Sequence, residues 1–341
     1  MNWIRKQAKR LREWWKRQNE PTPKPDPVDP VPDPTPTPDP IPTPVPDPVP
    51  VPTPATDKVT VNGRRFALGG KLFVPIADTA WMLGDYAGTG KLPWSDVTWY
   101  FQARRQQGFT VIQFGDAGLC FEKDGSPREN QLRVFDRILD SAEAAGIMVY
   151  LGCERHRYQD GKPVEWITDA AARSAGRIFA SRFAGRKCVM AFWVSGLDDH
   201  YGYSYIAPLA QGVREGAPGH LIGWHPAHGQ ASYPTVQIGA LCDFCTLQSD
   251  QTDVAALIAR CPSTVPVWDV EPCYEGETKS DGHVINADDV ARQVGTAAKN
   301  GAAGVAYGHN LVWAFAGGWQ SAVKSAPGWK QAIEAAAKIG G

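Results

Sequence analysis

The sequence lacks several features that would place the protein in other classes. It has no run of about 18 apolar residues, so no transmembrane helix is expected. No G-x-G-x-x-G motif follows the first predicted strand, which removes the main support for a dinucleotide-binding fold. H-x-H and H-E-x-x-H patterns are also absent, so no metal is predicted. Metal-assisted hydrolysis stays a minor alternative, in which a cation would gather Asp78, His225, His228, Glu271 and His309.

Neither the number of cysteines nor the net charge indicates a binding partner. Seven cysteines are an odd number in a large domain and argue against a full disulfide framework. Cys242 and Cys245 form a C-x-x-C pair without a second ligand pair at zinc spacing, so we expect core cysteines on a strand. The net charge of −1 gives no sign of nucleic-acid binding, and none is expected.

The first segment, residues 1–20, predicts a basic amphipathic helix. Ile4, Ala8, Leu11 and Trp15 fall on one side of residues 3–19, and arginine and lysine fill most of the rest. Such a helix is typical of an anchor on a membrane surface, of a peptide that docks into a partner assembly, or of a solubilising tail. It is too charged, and has no apolar centre, to act as a conventional secretion signal.

A proline-rich segment follows at residues 21–57. Between Pro21 and Pro54, 17 of 34 residues are proline, which excludes a helix or a central strand. This composition predicts an extended polyproline II linker of roughly 100 Å, at about 3.1 Å per residue. The remainder, residues 58–341, has the length of one large catalytic domain.

The domain repeats a pattern of apolar strand, polar loop and helix. We predict eight strands, at residues 72–77, 110–114, 147–152, 189–195, 221–224, 244–247, 265–270 and 304–307. Helices are predicted at 95–107, 126–146, 168–184, 205–215, 253–260, 287–300 and 322–337, the second with Ser126 as its N-cap. A hairpin turning at Asn62-Gly63 is expected to close the bottom. The predicted fold is α/β, a (β/α)8 TIM barrel preceded by the basic helix and the linker.

Polar and aromatic residues follow the predicted strands, where a TIM barrel carries its chemistry. Aromatic rings stack on sugar C–H faces, while carboxylates, amides and imidazoles bond hydroxyls. We therefore predict a substrate-binding set that comprises Asp78, Trp81, Gln113, Glu154, Asp199, His225, Gln248, Tyr274, Glu275, His309 and Trp313.

Two acidic residues are the candidate catalytic pair. Asp198 follows strand four and Glu271 follows strand seven, so the two carboxyl groups would face each other across the mouth. Glycosidic bond hydrolysis needs such a pair, one protonated and one ionised. Either residue alone is weak evidence, because acidic residues in loops also cap helices or bind arginines.

Five stretches of the domain resemble the apiosidase-like glycoside hydrolase catalytic domains. They are residues 62–64, 73–81, 108–113, the Glu-Pro-Cys-Tyr-Glu-Gly stretch at 271–276, and residues 301–313. The resemblance implies a TIM barrel acting on polysaccharide or its side chains, with Asp198 as acid/base and Glu271 as nucleophile. Where family members read Leu-Gly-Gly-Asp, this chain has Ser195-Gly196-Leu197-Asp198, so Asp199 is kept as an alternative acid/base.

The leading prediction is a retaining glycoside hydrolase that needs no cofactor and acts on a polysaccharide or oligosaccharide. The usual secretion signal of the family is replaced by the basic helix and linker, which favours a cell-envelope, extracellular or virion-associated setting. The alternatives are a catalytically weak carbohydrate-binding or adhesin module, motivated by Leu197, and a structural scaffold.

Overall fold

The computed structural model describes residues 58–115, 120–155, 157–159, 162–164, 168–195, 203–234, 236, 239, 241–250 and 252–339. The predicted N-terminal helix and linker lie outside the described residues. Two compact units are present, and the smaller contributes residues 158–159 and 162–164 to the described part. The larger unit holds the parallel sheet, its helices and the candidate site.

Strands and helices alternate along most of the chain. The strands are Val59–Asn62 (β1), Arg65–Leu68 (β2), Lys71–Phe73 (β3), Ile76–Thr79 (β4), Val111–Phe114 (β5), Met148–Cys153 (β6), Arg157–Gln159 (β7), Lys162–Val164 (β8), Val189–Ser195 (β9), Leu221–His225 (β10), Gln230–Ala231 (β11), Cys245–Gln248 (β12), Val267–Asp269 (β13), Tyr274–Glu275 (β14) and Gly304–His309 (β15). The helices are Leu83–Thr89 (α1), Trp94–Gln106 (α2), Glu129–Ala145 (α3), Asp169–Phe183 (α4), Tyr203–Gly216 (α5), Val254–Arg260 (α6), Ala287–Lys299 (α7), Trp319–Ser325 (α8) and Gly328–Ala336 (α9).

Eight of these strands form a curled parallel sheet. Its order is β10-β9-β6-β5-β4-β15-β13-β12, so the first parallel strand of the domain lies beside the last. Strand β11 adds to β12 in the antiparallel sense. The ends β10 and β12 are joined by a bond from the Asp243 amide to the Ile222 carbonyl (2.9 Å) and by one from the Thr246 hydroxyl to the Trp224 carbonyl.

The two faces of the sheet are both apolar, as parallel sheets require. On the inner face lie Ala77, Val111, Tyr150 and Trp268, with further small and aromatic side chains. The alternate residues of the same strands point outwards and pack beneath the helices in a second, larger core. The inner face therefore points into the curl, and the carboxyl ends of the strands share one rim.

The hairpin of β1 and β2 closes the opposite end. Gly63 takes a φ of +56° in its turn, a conformation that glycine adopts freely. From β2, the Phe66 ring packs edge-on against Phe244 and Trp268, with ring centroids 5.1 and 6.2 Å apart. The predicted Asn-Gly turn thus places an aromatic side chain under the inner core.

Three predicted elements differ from the structure. Helix α3 starts at Glu129 with Arg128 as N-cap, because the Ser126 hydroxyl instead bonds Asp124 (2.6 Å) in a preceding turn. The first predicted strand divides into β3 and β4. The last predicted helix divides into α8 and α9 at Pro327, which cannot continue a helix.

The cysteine prediction was wrong for one residue. Cys242 is buried and free, but Cys245 is bonded to Cys261, which links the start of β12 to the end of α6. Within the described part of the chain, no helix combines the length and apolarity needed to span a membrane.

Candidate active site

Glu271 lies two residues after β13, at the rim formed by the carboxyl ends of the strands. Its side chain is only 13% exposed. The Tyr274 hydroxyl donates a hydrogen bond of 2.7 Å to Oε1, and Nε2 of His225 lies 3.2 Å from Oε2. Each carboxylate oxygen therefore has its own neighbour, which fixes the orientation of the group.

His225 is the last residue of β10 and is nearly buried. Its Nδ1 atom lies 3.2 Å from the Pro226 carbonyl, and a carbonyl only accepts, so Nδ1 carries a proton. Nε2 then faces Glu271 at ion-pair distance, although without the alignment of a hydrogen bond.

Tyr274 connects Glu271 to an indole. Trp81 Nε1 donates to the Tyr274 hydroxyl (2.6 Å), which in turn donates to Glu271. Burial, and then the charge of Glu271, raise the pKa of Tyr274 well above its usual value. The phenol therefore stays protonated and acts as a donor over the whole physiological pH range.

A glycine makes room for this tyrosine. A Cβ atom at Gly308 would lie 2.1 Å from Cδ1 of Tyr274, far inside van der Waals contact. Strand β14 pairs Tyr274 directly with Gly308 of β15. The absence of a side chain on β15 thus allows the Tyr274 ring to lie over the sheet and reach Glu271.

An aromatic floor lies beside the carboxylate. The Trp81 ring meets Trp193 and His225 edge-on, at centroid distances of 5.6 and 5.2 Å. The Trp193 ring packs against two glycines. A Cβ atom at Gly115 would lie 2.7 Å from this ring, and one at Gly152 would lie 2.1 Å from it. Rings held this closely have little freedom, so the floor is preorganised.

Two further acidic residues lie close enough to affect Glu271 and were missed at the sequence level. Burial, with the nearby Glu271 charge, raises the pKa of both Asp250 and Asp269 to about 7. Asp269 is fully buried and accepts a 2.6 Å bond from the Ser249 hydroxyl. Asp250 pairs with His228 at 2.7 Å. The signal available in the sequence was their position, since Asp269 ends the apolar strand β13 and Asp250 lies two residues after β12.

Two predicted substrate-binding residues are placed elsewhere. Asp78 is fully buried behind the sheet, where it accepts bonds from Tyr100 (2.5 Å) and Arg104 (2.7 Å) of α2. Glu275 faces α9, where it accepts bonds from the Tyr307 hydroxyl (2.6 Å) and the Gly328 amide. Neither carboxylate reaches the rim, so we correct the prediction for both residues. Alternate strand residues face opposite sides, and these two face the helices.

Gln113 lies beneath the rim rather than on it. Its side chain is fully buried on β5, and its amide donates to the Val270 carbonyl across the sheet. Gln113 therefore holds Val270, the residue that precedes Glu271, in place. The prediction that Gln113 contacts substrate is corrected accordingly.

The remaining predicted residues lie at or near the ends of the strands. Glu154 follows β6, and a Cβ on Gly115 would lie 3.4 Å from its Oε1. Gln248 ends β12 and His309 ends β15. Burial lowers the pKa of His309 to about 4, so this ring is neutral, and its Nδ1 accepts from the Leu311 amide (3.1 Å). Trp313 accepts a backbone bond from Met82 (3.1 Å).

The second predicted catalytic residue, Asp198, lies outside the described residues, as does Asp199. Strand β9, which leads to them, ends on the rim at Ser195. Nowhere in the described ranges do three or more His, Cys, Asp or Glu side chains form a group that could hold a metal ion.

Comparison with known proteins identifies the family of this site. A family model described as "Apiosidase-like, catalytic domain" matches residues 61–339. The chain belongs to this family. The apiosidase-like domain is a glycoside hydrolase, as the sequence resemblance predicted. No curated protein matches the chain.

Solved structures share the fold at low sequence identity. One described as "Glycoside hydrolase" has a TM-score of 0.67 and 18% identity, covering 82% of this chain and 74% of its own. A glycoside hydrolase family 5 protein from Bacteroides vulgatus ATCC 8482 has a TM-score of 0.65 and 18% identity, covering 80% and 70%. GH5_18 from Streptomyces cattleya, solved with GlcNAc, has a TM-score of 0.58 and 12% identity, covering 78% and 80%. These likenesses support the α/β fold with its curled, mainly parallel sheet.

Proposed function

We propose that the apiosidase-like domain cleaves a glycosidic bond of a polysaccharide or oligosaccharide by double displacement, with Glu271 as the nucleophile. The observation that carries this proposal is the environment of Glu271. A hydroxyl donor bonds one carboxylate oxygen and an imidazole lies beside the other, so the group is held in one orientation. A nucleophile needs such fixed placement against the atom it attacks.

The second carboxyl group in the proposal is Asp198, with Asp199 as the alternative. In the first step Glu271 attacks the anomeric carbon, and the acid gives its proton to the departing glycosidic oxygen. In the second step the same residue, now a carboxylate, takes a proton from water, and the resulting hydroxide displaces Glu271 from the sugar. The proton count balances over the cycle, and the configuration at the anomeric carbon is retained.

The aromatic floor suits a sugar at this position. Trp81 presents a partly exposed indole beside Glu271, and indole faces stack on the C–H faces of sugar rings. Glu154, Gln248, His309 and Trp313 stay our proposed hydroxyl and stacking contacts further along the rim. We also infer that the curled sheet closes as a (β/α)8 barrel, which the bonds between β10 and β12 favour.

The nucleophile is tested with Glu271→Gln and Glu271→Gly. Neither variant should release reducing ends from polysaccharides that the wild type degrades. Sodium azide should restore turnover of an activated aryl glycoside to Glu271→Gly by forming a glycosyl azide of inverted configuration. Undiminished turnover by Glu271→Gln would refute this role.

The acid/base is tested with Asp198→Asn and Asp199→Asn. Replacement of the true acid/base should slow cleavage of a poor leaving group far more than cleavage of a 2,4-dinitrophenyl glycoside, because the latter departs without a proton. If neither variant discriminates between the two leaving groups, neither Asp198 nor Asp199 is the acid/base, and the two-carboxylate proposal is refuted.

For the N-terminal segment we propose a tether. Residues 3–19 would hold the enzyme on an anionic membrane surface or a partner assembly, and residues 21–57 would extend the domain away from it. Co-sedimentation of the full chain with phosphatidylglycerol vesicles separates these cases. Loss of sedimentation on deletion of residues 1–20 supports the membrane, and no sedimentation of the full chain rejects it.

A further inference from the structure

A second carboxylate–imidazole pair lies beside Glu271. Oδ2 of Asp250 is 2.7 Å from Nδ1 of His228, and the two side chains are 13% and 28% exposed. His228 lies on the loop after β10, and Asp250 lies two residues after β12. The pair therefore joins two neighbouring rim loops and remains partly open to solvent.

Backbone contacts fix this pair relative to Glu271. The Asp250 amide donates to the carbonyl of Glu271 (3.2 Å), and Asp250 forms a parallel bridge with Pro272. The side chain of Asp250 is also close enough that the charge of Glu271 raises its pKa. Asp250 is thus held in one position next to the proposed nucleophile.

The backbone of Asp250 adopts a conformation that is uncommon for a residue with a side chain. Its φ is +35°, in the left-handed region that favours glycine. Residues with a Cβ that are held in this region are concentrated at ligand sites.

The hydrogen bonding of Asp250 is incomplete. Oδ1 is buried and finds no donor among the described residues, whereas a carboxylate can accept about four hydrogen bonds. Nδ1 of His228 lies 2.7 Å from the other oxygen, Oδ2. A ligand that brings hydroxyl donors to this carboxylate, with a small rotation of the side chain, would satisfy it.

We propose that Asp250, oriented by His228, binds a ring hydroxyl of the sugar attacked by Glu271, and that this sugar is electrically neutral. This inference rests on the proposed function of Glu271. The neutral class follows from placement, because the Asp250 amide bonds the Glu271 carbonyl and Asp269 lies two residues before Glu271, so three acidic side chains share this part of the rim. The charge of Lys279 acts on Asp250 in the opposite sense and lowers its pKa. A uronic acid would bring a further carboxylate into this region.

The test compares Asp250→Asn, Asp250→Gly and His228→Gln in the full chain. The probes are 4-nitrophenyl glycosides of neutral pentoses and hexoses, and the matching 4-nitrophenyl uronides. Asn retains the side-chain shape, and Gly adopts the positive φ without strain, so both variants should keep the wild-type melting temperature within a few degrees. We expect kcat/KM on the preferred neutral glycoside to fall about 10-fold for Asn and about 100-fold for Gly, the range for a lost hydrogen bond to a charged group.

His283→Gln is the matched control. His283 also bonds an aspartate, Asp289, at 2.7 Å, but at the start of α7. This variant should keep the wild-type kcat/KM, whereas His228→Gln should lower it about 5-fold through loss of orientation.

Three results would overturn the inference. One is a kcat/KM within twofold of wild type for both Asp250 variants. Another is an equal loss in the His228 and His283 variants, and the third is faster cleavage of a uronide than of every neutral glycoside. Glu271→Gln on the same probe reports the proposed function separately. If that variant remains active, the nucleophile assignment fails, whatever the Asp250 variants do.

Discussion

Tyr274 and Tyr307 offer a matched pair of hydroxyl deletions, of which only the first is expected to lower activity. Each phenol donates to a glutamate over a short distance, 2.7 Å from Tyr274 to Glu271 and 2.6 Å from Tyr307 to Glu275. Only the first glutamate lies at the rim. Tyr274→Phe should therefore impair catalysis, and Tyr307→Phe should impair stability alone.

The magnitudes follow from the bonds that are lost. A hydrogen bond to a charged group contributes about 1.5–3 kcal/mol, so kcat/KM should fall about 10- to 150-fold in Tyr274→Phe. The same change also leaves the indole N–H of Trp81 without its acceptor, which costs about 1–3 kcal/mol of stability. For Tyr307→Phe we expect a similar loss of stability, about 1–3 kcal/mol, because the Gly328 amide is then the one donor left to Glu275 among the described residues.

Two measurements on each variant test these expected effects on stability and activity. Urea unfolding gives the stability, and initial rates on one aryl glycoside, normalised to folded protein, give kcat and KM. The reasoning requires comparable destabilisation but a loss of activity in Tyr274→Phe alone. Equal activity losses would mean that the two phenols act only through the fold, and full activity in Tyr274→Phe would remove this hydroxyl from the proposed mechanism.

Three other substitutions probe separate parts of the structure. Gly308→Ala should reduce kcat/KM at least tenfold, because the added methyl group displaces the Tyr274 ring; a crystal structure with that ring unmoved and full activity would contradict this. The raised pKa of Asp269, about 7, means that the folded state holds its proton more tightly, so wild-type stability should fall as pH rises from 4 to 7. Asp269→Asn should remove the part of this slope that Asp269 contributes, gaining at most about 4 kcal/mol at pH 8, while the raised pKa of Asp250 keeps its own part; the same pH dependence of the unfolding free energy in both proteins would refute it. Arg104→Met leaves the buried Asp78 carboxylate unpaired and should lower the free energy of unfolding at pH 7 by about 3–5 kcal/mol; a loss under 1 kcal/mol by urea unfolding would contradict it.

The order of strands could be predicted from the sequence because each strand is a short apolar run between turn signals. Residues 189–195 were predicted with the bounds that the structure has. The start of α3 could not be predicted in the same way. Ser126 followed by Pro127 is a good cap sequence, but the alternative bond to Asp124 is local and equally available.

The candidate site was harder to predict, because parallel strands are apolar on both faces. The sequence around Asp78 gives no indication of which neighbour faces inwards. In the structure Ala77 belongs to the inner core. Asp78 accepts a hydrogen bond from Arg104, which lies on α2, 26 residues later in the chain. Glu271 was easier to recognise, since it follows its strand and precedes Pro272 rather than lying inside the strand.

The position of Phe66 limits how substrate can approach. Its ring and the side chains above it fill the space inside the curled sheet at the end opposite the rim. No sugar chain can pass along the inside of the sheet from that end. Substrate must therefore reach Glu271 from the side of the rim, and product must leave on the same side.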